Sequence, residues 1–281
     1  MLTDALDAFV ERLKHVPGIV AIVVGGSQAR GTADPSSDTD LGLYYDRQSP
    51  LNVAALDAIA TACDDRKCAG LITELGAWGP WINGGGWLRL DGQSVDLLFR
   101  ETSKIEAALD DAILGQIEIA YQPGHPFGFL SSIYVGEVAL CLPLWDPSHW
   151  VAKAKEKIDG YPERLRRELV RRFVFEADFS LLISDKSINR SDVTYVAGCL
   201  FRSIGCVLQI VFALNRKHWM NEKGALALAD RFELVPARFK KRVERAWQHL
   251  EPNPVSLRES IRTVRELTEE VNRLLRQEGL G

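Results

Sequence analysis

Asp38 and Asp40 stand two residues apart at the head of an apolar run, in the stretch VVGGSQARGTADPSSDTDLGLYY that covers residues 23–45. Residues two apart in a strand project to one face, so both carboxylates can be aimed at one point with about 6–7 Å of chain between them. Two anions directed together repel unless a cation lies between them. Oxygen donors without an accompanying His or Cys select Mg2+ or Mn2+ over zinc. Upstream, the apolar run ending at Val24 opens into Gly25, Gly26 and Ser27, followed by Gln28, Ala29, Arg30 and Gly31. Such a strand-to-helix turn lets the backbone approach a ligand closely, and N–H groups exposed at a helix start favour phosphate. Ser27 adds a hydroxyl donor, and Arg30 a positive charge one turn on. A third acid, Asp96, sits between Val95 and Leu97 in SVDLLF, where a buried strand would prefer an apolar side chain. Burying it alone would be costly, and sharing a metal ion with Asp38 and Asp40 offsets that cost. Three carboxylates on neighbouring strands facing a Gly-Ser turn suit phosphoryl or nucleotidyl transfer, with one carboxylate receiving the proton of an attacking hydroxyl.

These residues need a sheet to hold them, and hydrophobic periodicity supplies one. Residues 2–15 carry apolar positions at helical spacing, with Thr3 as a cap and Pro17-Gly18 as a stop. Ile19–Val24 reads as a buried strand, 40–45 as a second, 51–63 as a helix and 70–78 as a third strand. In WLRLDGQSVDLLFR, Asp91-Gly92 between alternating segments signals a hairpin. From about Ser132 onward the periodicity is helical, and VTYVAGCLFRSIGCVLQIVFALN is apolar on most faces, as the central helix of a bundle would be. The expectation is an α+β unit with a mixed sheet over residues 1–130, then an all-α helical bundle over 131–281, with YQPGHPFG and LPLWDPSHW in the boundary region.

The 34 basic and 38 acidic residues nearly cancel, so there is no global cationic footprint of the kind that grips nucleic acid. The basic run RLRRELVRR reads as a solvated helix side. The five cysteines are scattered without zinc spacing and read as buried, reduced thiols of a cytoplasmic protein. The N-terminus is too acidic for a signal peptide, and the longest uncharged apolar stretch, 204–214, is too short to span a bilayer. Glu74 reads as a solvent-facing strand residue, and Gly84–Gly86 between Trp81 and Trp87 as a mobile connection rather than a lid. His125, His149 and His218 are isolated and are given no ligand role.

GGSQARGTADPSSDTDLGLYY followed by VDLLFR resembles the signature of the nucleotidyltransferase superfamily: Gly-Ser, a loop, Asp-x-Asp, then a further acid on a later strand. That superfamily includes polymerase β-like enzymes, antibiotic nucleotidyltransferases and AMPylating antitoxins. The resemblance implies that Gly26 and Ser27 hold a triphosphate, that Asp38 and Asp40 bind two Mg2+ ions (Mn2+ serving in their place), and that Asp96 binds one ion and the attacking hydroxyl. Thr39 departs from the family pattern, where an apolar residue often stands between the two aspartates. The helical half is similar to that of the two-domain aminoglycoside and lincosamide enzymes, which implies a phosphate contact for Lys223 in NEKG; a capped surface helix start is the plainer reading of that lysine. The resemblance thus implies transfer of NMP, as AMP from ATP, to a hydroxyl of a small, aminoglycoside-like acceptor, with pyrophosphate released. An AMPylating antitoxin and a degenerate nucleotide-binding module are the alternatives.

Overall fold

The structure is a computed structural model that describes residues 3–31 and 37–281. Met1, Leu2 and the polar loop at 32–36 lie outside the described residues. In chain order the elements are α1 (Asp4–Leu13), β1 (Ile19–Val24), α2 (Gly26–Ala29), β2 (Thr39–Tyr45), α3 (Val53–Cys63), β3 (Gly85–Leu90), β4 (Gln93–Glu101), α4 (Thr102–Leu114), β5 (Ile119–Ala120) and β6 (Phe129–Leu130). They continue with α5 (Ile133–Leu140), β7 (Leu142–Trp145), α6 (Trp150–Lys157), α7 (Glu163–Asp185), α8 (Val193–Leu214), α9 (Ala225–Ala229), α10 (Phe239–Gln248) and α11 (Pro254–Gln277). An α+β half with a mixed sheet is thus followed by a helical half, as the periodicity predicts.

The first compact unit comprises residues 1–111, 118–124 and 129–160. Its sheet runs in the order β3-β4-β2-β1-β7, with β2 and β4 parallel and the other pairs antiparallel. The Asp91-Gly92 hairpin forms as expected, and Thr3 caps α1 by accepting from Leu6 N at 3.4 Å. Strand alternation sorts the sheet's two faces. Ile22, Val24, Leu41, Leu43, Val95, Leu97 and Phe99 join Leu6, Phe9, Leu13 and Leu56 of α1 and α3 in one buried core. The opposite face carries Asp40 and Tyr44 on β2, and Asp96 and Arg100 on β4. Its Tyr44–Arg100 end is covered by α5 and α6: Tyr44 lies 5.1 Å from the Trp150 ring, and Arg100 is paired with Glu137.

Three expectations from the sequence do not hold. Residues 70–78 form no strand beyond a single bridge between Ile72 and Gly86. The reason is that the Asp57 carboxylate accepts from the backbone N–H groups of Gly70, Leu71 and Ile72, at 3.1, 3.0 and 3.2 Å, and so occupies the donors a ladder would use. Gly85 and Gly86 are not a connection but the first residues of β3. LPLW, placed by the sequence in the boundary region, is the edge strand β7, and it carries the first unit past the expected boundary after residue 130. Pro143 is tolerated there because an edge strand leaves one row of backbone groups unpaired. Of the cysteines, all free, Cys141, Cys199 and Cys206 are buried, whereas Cys63 is partly and Cys68 fully exposed.

The second unit comprises residues 112–117, 125–128 and 161–281. Helix α8 is its core; by length and composition it could cross a bilayer, and 78% of its apolar window is buried inside the protein, as in a core helix. The buried Arg166 donates to the carbonyls of Ala213 and Leu214, at 3.2 and 3.0 Å, satisfying oxygens that the end of α8 leaves without helical partners. The short segment 125–128 is clasped by Glu222, which accepts from Phe127 N at 2.7 Å, and by Arg202, which donates to Phe127 O at 2.5 Å.

His218 stacks on Tyr161 with ring centroids 5.0 Å apart, and burial lowers its pKa to about 4. A histidine whose folded pKa is below its unfolded value of about 6.5 keeps its full contribution above that value and loses it as pH falls toward 4. The chain is therefore expected to lose up to about 3 kcal/mol of stability between pH 6.5 and 4 that a His218→Phe variant does not lose. Urea melts of both proteins at pH 7, 5.5 and 4.5 read the difference; parallel losses in the two would refute the assignment.

Candidate active site

The parallel register of β2 and β4 pairs Asp40 with Asp96 as direct Cα partners, so both carboxylates leave the same face of neighbouring strands. Both are partly buried, and this end of the face lies away from the α5 cover. Asp38 stands one residue before β2 begins and is exposed. Among the described residues no three His, Cys, Asp or Glu side chains gather into a metal-holding set. The register thus sets Asp40 beside Asp96, and Asp38 lies just before the strand that carries Asp40. The donor chemistry of the pair fits a hard divalent cation: two anionic oxygen ligands, side by side and partly out of water.

The Gly-Ser turn meets this pair directly. Gly25 N donates to Asp40 O at 2.9 Å, which docks the start of α2 on β2. Gly26 has φ +56, and a Cβ built on it would fall 1.7 Å from Asp40 Oδ2. Glycine is required at 26 on both counts, since a side chain there would be strained and would displace the carboxylate. Gly26→Ala is accordingly expected to cut turnover about a hundredfold while shifting the melting temperature by only a few degrees. Comparing initial rates and thermal melts of the two proteins checks this; full activity in the variant would show that Asp40 has no fixed position to lose.

Ser27 lies in α2, and Arg30 is its C-terminal cap. Burial lowers the Arg30 pKa, and the negative charge of Asp40 opposes that shift, so the guanidinium sits within electrostatic reach of Asp40. Its Nε is buried without a hydrogen-bond partner among the described atoms, a donor left over for an anion. Sequence reasoning missed Gln28: its Nε2 donates to Thr39 Oγ1 at 2.6 Å and ties α2 to β2. The signal was Thr39 itself, a hydroxyl where an apolar side chain is the common choice. Lys223 belongs to the second unit, exposed at the turn before α9, and Glu74 is exposed outside any strand. A cavity of about 940 Å³ between α10 and α11, lined by Arg238, Arg242, Arg245, Glu259, Arg262 and Glu270 among others, contains none of the candidate residues.

A mixed sheet that presents paired acids beside a glycine turn defines a class, and comparison with known families agrees on it. Residues 5–114 match the nucleotidyltransferase domain family, and this stretch of the chain is therefore similar to domains of that family. Among solved structures, a nucleotidyltransferase-like protein from Exiguobacterium sibiricum 255-15 is similar at 10% identity, over 96% of this chain and 77% of its own, with a TM-score of 0.44. A comparison with curated proteins found no match.

Proposed function

We propose that the protein transfers AMP from ATP to a hydroxyl of a small-molecule acceptor in a Mg2+-dependent reaction that releases pyrophosphate. The observation that carries the reading is the pairing of Asp40 with Asp96 on one sheet face, against the glycine at 26. Asp40 and Asp96 would hold the divalent ions, with Asp38 as the outer ligand that the family resemblance implies. When bound, Mg2+ supplies neutralisation of the charge that grows on the phosphoryl oxygens and on the leaving pyrophosphate. The turn at Gly26 and Ser27 receives the triphosphate through backbone N–H groups, and Arg30 offers to the same anion an Nε that has no partner among the described atoms. Asp96 accepts the proton of the acceptor hydroxyl as that oxygen bonds to the α-phosphorus and the bond to the pyrophosphate oxygen breaks. The role of Lys223 as a further nucleotide contact rests on the resemblance alone. Five free cysteines support a reducing, cytoplasmic setting.

The test is a pyrophosphate-release screen of each NTP against a library of hydroxyl compounds, run beside an Asp38→Asn, Asp40→Asn double variant. Release that needs Mg2+ and is lost in the variant supports the proposal. Release that survives in the variant, or that occurs only with protein acceptors in a lysate, overturns the metal assignment or the acceptor class respectively.

A further inference from the structure

The register puts one more residue on the face of Asp40 and Asp96. Trp87 on β3 is the cross-strand partner of Asp96, as Asp96 is of Asp40, so the three form a row across β3, β4 and β2. Trp87 is 60% exposed, and its ring stacks on Trp78 with centroids 4.6 Å apart and planes 29° from parallel. Trp78 reaches this position because Gly85 has no side chain: a Cβ there would lie 2.7 Å from the Trp78 ring and 1.8 Å from Leu97 O. Side chains anchor the backbone of both tryptophans. Trp87 O accepts from Arg66 Nη2 at 2.7 Å, and the same guanidinium is held by the buried Asp64 carboxylate through two bonds of 2.9 Å. Trp78 O accepts from Gln122 Nε2 at 2.5 Å. A large indole fixed by its backbone and by a second ring, yet left facing water, is preorganised for a ligand rather than used for the core.

We propose that Trp87, backed by Trp78, is the stacking platform for the acceptor, holding a ring by its C–H face with the reacting hydroxyl on the ring's edge. This rests on the transferase reading. The strand order β3-β4-β2-β1 assigns the side: the turn at Gly25 and Gly26 follows β1, so the triphosphate end and Trp87 flank the acidic pair from opposite directions. A ring laid on the indole presents its C–H face to the π system and its edge hydroxyls sideways. Direct cross-strand neighbours stand about 5 Å apart, which brings such a hydroxyl within reach of the Asp96 carboxylate that takes its proton. An acyclic alcohol has no face to stack and no fixed edge.

Two measurements separate this inference from the reading it rests on. The first is binding without nucleotide, by saturation-transfer NMR with methyl glucoside and streptamine as ring probes and glycerol and sorbitol as acyclic ones. Ring signals in the wild type that vanish in Trp87→Ala, persist in Trp87→Phe and persist in Asp96→Asn support the platform; no ring signal in the wild type, or equal signals in Trp87→Ala, overturn it. The second is pyrophosphate release: Trp87→Ala is expected to raise KM for a ring acceptor about tenfold or more, with KM for the nucleotide unchanged and Trp87→Phe restoring most of the loss. A change within twofold, or equal use of acyclic acceptors, overturns the platform while the transferase reading stands. Trp87-dependent ring binding with no release from any NTP overturns the transferase reading while the platform stands.

Discussion

Asp40→Asn is expected to lower the rate of nucleotidyl transfer about a thousandfold or more while leaving the fold intact. The replacement keeps the shape of the side chain and removes its charge. Asp40 lies in β2 between Thr39 and Leu41, which are buried on the other face, so the core has no stake in the substitution. What is lost is half of the acidic pair on this face, next to the turn that Gly26 packs against it. An amide is a far weaker ligand for Mg2+ than a carboxylate and cannot balance the charge of the cation. The measurement is single-turnover pyrophosphate release at saturating Mg2+, with circular dichroism and a thermal melt as the control. Activity within tenfold of wild type in a folded variant would show that the pair is not the metal site. The loss should not be rescued by more Mg2+ if both carboxylates are needed together.

The largest effect on stability is expected at Arg100 and Glu137. Arg100 Nε and Nη2 donate to Glu137 Oε2 and Oε1 at 2.7 and 2.6 Å, and Nη1 donates to the carbonyls of Phe99 and Ile82 at 3.0 and 3.3 Å. The guanidinium lies 5.7 Å from the Tyr134 ring centroid, and Arg100 is 4% exposed. Burial works to lower its pKa, and the charge and hydrogen bonds of Glu137 outweigh that and raise it. Removing one partner leaves a buried charge without compensation, so Glu137→Ala is expected to cost about 3–5 kcal/mol. A double variant, Arg100→Met with Glu137→Leu, is expected to recover most of that loss, because it removes both desolvation penalties along with the attraction. Chemical denaturation of the wild type and both variants decides the matter. Equal losses in the single and double variants would show that the pair stabilises by more than mutual compensation.

The site was unevenly legible. GGSQARG and DTD announce their chemistry because residue type alone is enough to suggest a glycine turn and a set of acids at the start of a strand. Asp96 was recognisable as an acid out of place among Val95 and Leu97, and α1, α3 and α8 could be read from apolar spacing within a residue or two of their ends. Residues 70–78 misled because their apolar content suits a strand, while their backbone donors go to a side chain on α3, a contact no local pattern records. β7 was hidden for the opposite reason: four residues with a proline carry too little periodicity to compete with the helices around them.

Within each segment, the amino-acid order by itself determined which side chains share a face, since strand and helix periods are properties of the local backbone. It also determined that a glycine, a serine and a set of acids lie along one short length of chain. Only the tertiary structure decided that β2 and β4 lie side by side in a register that sets Asp40 against Asp96, and that β3 brings Trp87 into the same row. A slip of one residue in either pairing would send these side chains to the opposite face. What prevents it is the burial of Leu41, Leu43, Leu97 and Phe99 against α1 and α3, a constraint spread over the whole sheet and written in no single motif.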